Sequence, residues 1–174
     1  MPVDTKRLVV TSVIVALSVV CLVLGNIIET NTLFLVSLAS YFLGFIIRAF
    51  GSKIGMMGYV ATAILGAILV PNKFYVGTYV GLGFYIVFVE ILSKRFVRIA
   101  HRRQVELYFW AMKYFVFNTM FIPTLFLFSE LLVGMKLERI GFVVIIVMGQ
   151  IGLFIYDSAY EYFMRKSEKW NRIN

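Results

Sequence analysis

Among the ionisable residues that stand inside largely apolar stretches are Glu90, Lys113 and Asp157. A charge at the middle of a bilayer costs about 2.5–3.5 kcal/mol on insertion scales, so such a residue needs a partner or a task. Lys113 lies about two turns into its run, and Glu90 and Asp157 fall at comparable depth. An ion pair to Lys113 is therefore expected, with the choice between the two carboxylates open, and the three residues do not by themselves build a proton relay. The same run also carries Asn118, Thr119, Pro123, Thr124, Ser129 and Glu130. At about 100° per residue these polar groups fall on three faces, so protein is expected around the helix. Pro123 frees a backbone carbonyl, which either kinks the helix or offers an acceptor to a ligand.

Other chemistry finds no residues to carry it. Cys21 is the single cysteine and His101 the single histidine, with no further ligand at metal-binding spacing. There is no phosphate-binding loop, acyl-transfer triad or pair of catalytic carboxylates. The expectation is a protein that is not an enzyme and uses no cofactor or metal.

The elements that must position these residues are written in the composition. Hydrophobic residues make up 61% and charged residues 15% of 174, with a mean hydropathy of +0.89, outside the range of water-soluble domains. Six apolar runs follow one another: Leu8–Ile28, Thr32–Phe50, Ile54–Val70, Phe74–Leu92, Leu107–Val133 and Ile140–Phe163. Each is long enough, or nearly so, for a ~30 Å hydrocarbon layer at about 1.5 Å per residue. They are apolar on every face, which excludes the alternation of a transmembrane barrel. The predicted fold is all-α, a polytopic membrane protein in which a compact bundle of six transmembrane helices forms one domain over residues 1–174. Very short gaps make successive helices antiparallel neighbours, and the longer gap Ser93–Glu106 sets four helices apart from two.

Basic residues assign the orientation. Thirteen of the 17 Lys and Arg fall at the N-terminus, in the gaps around Arg48–Lys53 and Lys94–Arg103, and at the C-terminus. Only Lys73, Lys136 and Arg139 fall in the other set of gaps, so both termini are predicted to be cytoplasmic. Lys6 and Arg7 ahead of a long apolar stretch read as an uncleaved first helix, since no small-residue cleavage pattern follows. The net charge of +8 is this cytoplasmic excess, facing anionic membrane lipid, and implies no nucleic acid. Small residues four apart, Ser12 with Ala16, Ser40 with Gly44 and Gly77 with Gly81, permit close helix approach, chiefly within the bundle or else to another membrane protein.

On the outer side the gaps hold Glu29-Thr30-Asn31-Thr32, Pro71-Asn72-Lys73 and Gly134-Met135-Lys136-Leu137-Glu138-Arg139. Below them lie Tyr75, Tyr79, Tyr85 and the glycines of residues 77–83. Aromatic walls with a few polar anchors suit a small organic ligand, although a tyrosine at this depth is also an ordinary interface residue.

The opening Thr5-Lys6-Arg7-Leu8-Val9-Val10-Thr11-Ser12-Val13-Ile14-Val15-Ala16-Leu17, together with Gly58-Tyr59-Val60-Ala61-Thr62-Ala63 leading to Pro71-Asn72-Lys73, resembles the substrate-binding S components of energy-coupling-factor (ECF) vitamin transporters. The likeness covers about the first 95 residues. It implies a subunit of a multi-pass cell membrane protein, in a bacterial plasma membrane, that captures a micronutrient at its outer face and works with a transmembrane coupling subunit and ATPases in trans. In that family the first helix docks through an Ala-x-x-x-Ala pattern, and here Ser12 and Ala16 hold the matching places. The resemblance implies Glu29, Asn31, Asn72, Lys73, Tyr79, Asn118 and Glu130 as candidate substrate-binding residues. The alternative is a membrane scaffold that binds no small molecule, resembling the rod-shape-determining D-type proteins. A pore is disfavoured because no helix carries a polar stripe.

Overall fold

The computed structural model describes residues 5–96, 104–133 and 139–171, with the side chains of 29, 95–96, 104–106, 126–133, 139–140 and 168–171 excepted. Among the described residues every regular element is helical: α1 (Thr5–Ile27), a 3₁₀ turn (Glu29–Asn31), α2 (Thr32–Phe50), α3 (Ser52–Leu69), α4 (Lys73–Phe96), α5 (Gln104–Val133) and α6 (Arg139–Asn171). Most helices run past the ends of the apolar stretches by one to several residues, because charged flanks such as Ser93-Lys94 and Arg165-Lys166 continue the helical turn into more polar surroundings. Five helices, or parts of them, are long and apolar enough to cross a membrane: Thr5–Ile27, Thr32–Phe50, Ser52–Leu69, Lys73–Lys94 and Gly141–Ser167.

The outer surface fits that solvent. Leu33, Ile68 and Phe115 are each more than 70% exposed, and Val13, Val143 and Ile155 each more than 60%. Apolar exposure on this scale belongs to a surface that faces lipid or another protein. Hydroxyls within the helices behave accordingly: Ser12 donates to the Leu8 carbonyl at 2.9 Å, Ser18 to Ile14 at 3.0 Å, Thr78 to Phe74 at 2.9 Å and Thr124 to Met120 at 2.7 Å. Each bond goes back one turn, which satisfies the hydroxyl without water.

Contacts divide the chain into two compact units, Met1–Arg98 and Ile99–Asn174. In the first, α2 is the central helix and packs on α1, α3 and α4. Its Val36, Ala39, Ser40, Leu43, Gly44, Ile46 and Ile47 are buried, and the core they build includes Leu22, Val70, Val76, Tyr79 and Val87. Gly51, at φ 94°, is the only residue between α2 and α3; its N–H donates to the Ile47 carbonyl at 3.0 Å. A backbone of that sign carries no penalty for glycine alone. In the second unit α5 and α6 are paired and antiparallel, as their contacts below require.

Close approach is selective. Ser40 and Gly44 lie in the core of the first unit, as a packing pair should. Ser12 and Ala16 are exposed, and a Cβ added at Gly77 or Gly81 would meet nothing within 4 Å, so these two pairs do not pack within their own unit. The working α4 glycine is Gly83, where an added Cβ would lie 2.7 Å from the Tyr59 ring. That ring cannot swing away freely, since its hydroxyl donates to the Val80 carbonyl at 2.8 Å. Gly83→Ala is expected to lower the melting temperature of detergent-purified protein, by the equivalent of about 1–3 kcal/mol for overpacking. Gly77→Ala, in the same helix, is expected to leave it unchanged or raise it slightly.

Candidate functional site

In the second unit two polar side chains of α5, Lys113 and Asn118, are met by α6. Thr119 and Thr124 are instead exposed and bond back on their own helix, so the described polar faces of α5 are not all covered by protein as the sequence leads one to expect. Lys113 is 2% exposed and its ammonium donates to Asp157 Oδ2 at 2.7 Å and Glu161 Oε1 at 3.1 Å. The same Nζ lies 4.6 Å from the centre of the Phe109 ring and 4.8 Å from that of Trp110, so two aromatic faces of its own helix complete the enclosure. Glu161 Oε2 accepts from Arg165 at 3.2 Å. Positions 157, 161 and 165 are one turn apart along one face of α6, and with Lys113 inserted between two of them the charges alternate in sign from the exposed Arg165 to the fully buried Asp157. A charge pair of this kind is held by its mutual attraction only while both members are present.

Farther along the same interface Asn118 and Gln150 exchange both amide bonds, Asn118 Nδ2 to Gln150 Oε1 at 3.3 Å and Gln150 Nε2 to Asn118 Oδ1 at 2.7 Å. Trp110 stacks on Phe154 at 5.7 Å, and Gly149 leaves room for the Phe121 ring. From Lys113 with Asp157, through Asn118 with Gln150, to Phe121 with Gly149, the numbering rises on α5 and falls on α6, which makes the pair antiparallel.

In the first unit Arg48 pairs with Glu90, Nε to Oε1 at 2.8 Å, joining the ends of α2 and α4. Lys94 adds a second tie by donating to the Ile47 carbonyl at 3.0 Å. Glu90 is thus engaged by Arg48, and Lys113 is paired with Asp157 and Glu161.

The opposite end of the first unit is closed by the two turns in which candidate residues were expected. Thr32 Oγ1 donates to the Gly25 carbonyl at 2.9 Å, which folds α2 back on α1. The Asn72 N–H donates to Asn26 Oδ1 at 3.4 Å, bringing the turn before α4 to the end of α1. Asn72 Oδ1 accepts from the Phe74 N–H at 3.1 Å and caps α4, while the Lys73 ammonium donates to the carbonyls of Ala67 at 2.5 Å and Val70 at 2.9 Å at the end of α3. Asn31 is exposed in the neighbouring turn, and the side chains of Glu29 and Glu130 lie outside the described residues. Tyr79 is 1% exposed beneath this end, hydrogen-bonded with Thr62 and with its ring centre 6.0 Å from that of Tyr59.

Asn31, Asn72, Lys73 and Tyr79 therefore belong to one unit, with the first three at its surface and Tyr79 in its core, and Asn118 belongs to the other unit. Glu161 and Gln150 were not anticipated as partners. Their signal is present in the sequence, since Gln150, Asp157, Glu161 and Arg165 recur at seven- and four-residue steps that define one helical face. Among the described residues no group of three or more His, Cys, Asp or Glu is placed to hold a metal ion.

No family model matches the chain, and neither a curated protein nor a solved structure matches it.

The amide pair gives a direct check on the α5–α6 interface. Asn118→Leu leaves the Gln150 amide unpaired and is expected to destabilise the purified protein by about 0.6–1.7 kcal/mol, the range of interhelical hydrogen bonds in lipid. Asn118→Leu with Gln150→Leu should recover much of that loss in thermal unfolding.

Proposed function

We propose that this chain is the substrate-capture subunit of a micronutrient uptake transporter in a cell membrane, similar to the ECF S components. In this reading all six helices cross the bilayer, both termini are cytoplasmic, and the turns around Asn26, Asn31, Asn72 and Lys73 face outward. The observation that carries it is the outward placement of Ser12 and Ala16 on α1. The Ser12 hydroxyl is spent on its own helix, which leaves a flat, small-residue strip free for a coupling subunit. Energy for transport would come from separate ATPases, in keeping with a sequence that has no phosphate-binding loop. On the capture side, polar turns stand over Tyr59, Thr62 and Tyr79, a combination of aromatic surface and few polar groups that suits a small organic molecule.

The second reading is a scaffold without a small-molecule ligand. It is favoured by two details: the Lys73 ammonium and Asn72 amide are already engaged in ending α3 and starting α4, and Gly77 and Gly81 offer a second open strip on α4.

The two readings separate in one set of measurements. A ligand present at a hundredfold excess over its Kd adds about 2.7 kcal/mol to the folded state. A screen of vitamins against detergent-purified protein is expected to give one clear rise in melting temperature. A pull-down is expected to retain coupling and ATPase subunits and to lose them with Ala16→Leu. A flat screen together with capture of membrane partners but no ATPase would replace the transporter by the scaffold.

A further inference from the structure

We infer that α5 and α6 enter the membrane as a pair, and that the carboxylates of α6 are the counter-charge that allows Lys113 to leave water. The inference rests on the membrane-spanning reading of these helices, and on nothing about substrate or transport.

Lys113 lies nine residues into α5, about 14 Å along the helix from Gln104. Both oxygens that accept its protons come from α6, from residues that follow it by 44 and 48 positions. The Asn118 amide likewise finds Gln150, 32 positions later. Phe109 and Trp110 supply ring faces from α5 itself but no negative charge. An α5 that stands in lipid before α6 arrives therefore holds a bare ammonium and an unpaired amide, the most costly groups to leave unmatched there. The carboxylates are arranged to relieve this stepwise. Glu161, with a side chain 40% exposed, also pairs with Arg165 toward the charged end of α6, whereas Asp157, 1% exposed, lies one turn farther from that end. The ammonium can be taken first by Glu161 and then by Asp157 as the two helices slide in together.

This differs in sign from independent insertion. Replacing Asp157 and Glu161 by leucine makes α6 more apolar, so a helix that inserts on its own hydropathy crosses as well as before or better. A helix pair that depends on charge matching crosses worse.

The experiment uses the full chain with Cys21→Ser and a reporter cysteine, Lys136→Cys, between α5 and α6. A membrane-impermeant maleimide is applied to intact cells and to inside-out vesicles. The reporter alone is expected to label from one face. Adding Asp157→Leu with Glu161→Leu is expected to reduce labelling from that face at least fivefold. In a Lys113→Leu background the same two substitutions should have no effect, and Lys113→Asp with Asp157→Lys should restore most of the labelling. If the carboxylate-free variant is degraded in cells, labelling is read on chain synthesised in vitro into inside-out vesicles, where loss of the one-sided reporter supports the inference and its retention overturns it. Unchanged one-sided labelling without the carboxylates overturns the inference alone. A reporter that labels equally from both faces overturns the membrane-spanning reading and the inference with it.

Discussion

In apolar surroundings a polar group cannot fall back on water, and this single constraint accounts for most of the bonds in the structure. Serine and threonine hydroxyls return to carbonyls one turn earlier on their own helices. Longer polar side chains reach across to a neighbour: Arg48 to Glu90, Lys113 to Asp157 and Glu161, Asn118 to Gln150. Among the described residues no buried side-chain nitrogen or oxygen lacks a hydrogen-bond partner. The same constraint removes most of the hydrophobic drive between helices, so their attachment must come from these ties and from close packing.

The two units answer it differently. The first is joined by interlocking shape: α2 is enclosed by α1, α3 and α4, and glycines receive side chains from facing helices, Gly55 that of Ile47, Gly66 that of Leu22 and Gly83 that of Tyr59. Its ties lie toward the ends, Arg48–Glu90 at one and Lys73 and Asn72 at the other. The second has one helix pair and places its polar groups along the shared face instead. Pro123 sits inside α5 without ending it, with Thr119 and Thr124 hydroxyls bonded one turn back on either side. The carbonyl that Pro123 leaves without its usual helical donor is that of Thr119, and neither hydroxyl bond goes to it.

The helices were legible because their apolar runs are long and their charges mark the gaps. Lys113 announced an ion pair because no other account of a lysine at that depth is economical. Its partner was less legible: Glu90 and Asp157 sit at similar depth, and depth alone does not say which helix is adjacent. The facing of small residues was not legible either. Ser40–Gly44 turns inward and Gly77–Gly81 outward, yet both are flanked by apolar residues, and hydropathy has no contrast with which to tell lipid from protein interior. Asn72 and Lys73 read as free polar groups in a turn, whereas their hydrogen bonds go to the adjoining helix ends, a local role that composition does not reveal.

The joint at Gly51 has a bearing on how this chain can change over evolutionary time. With one non-helical residue between α2 and α3, the joint has little slack to absorb an insertion or deletion without changing how α3 faces its neighbours. Gly55 would then rotate off Ile47 and Gly66 off Leu22, and bulkier neighbours would arrive in their place. Length variation in descendants of this sequence should therefore accumulate elsewhere, as in the stretch after Ser93, while this joint keeps its length and tolerates exchange of side chains only around it.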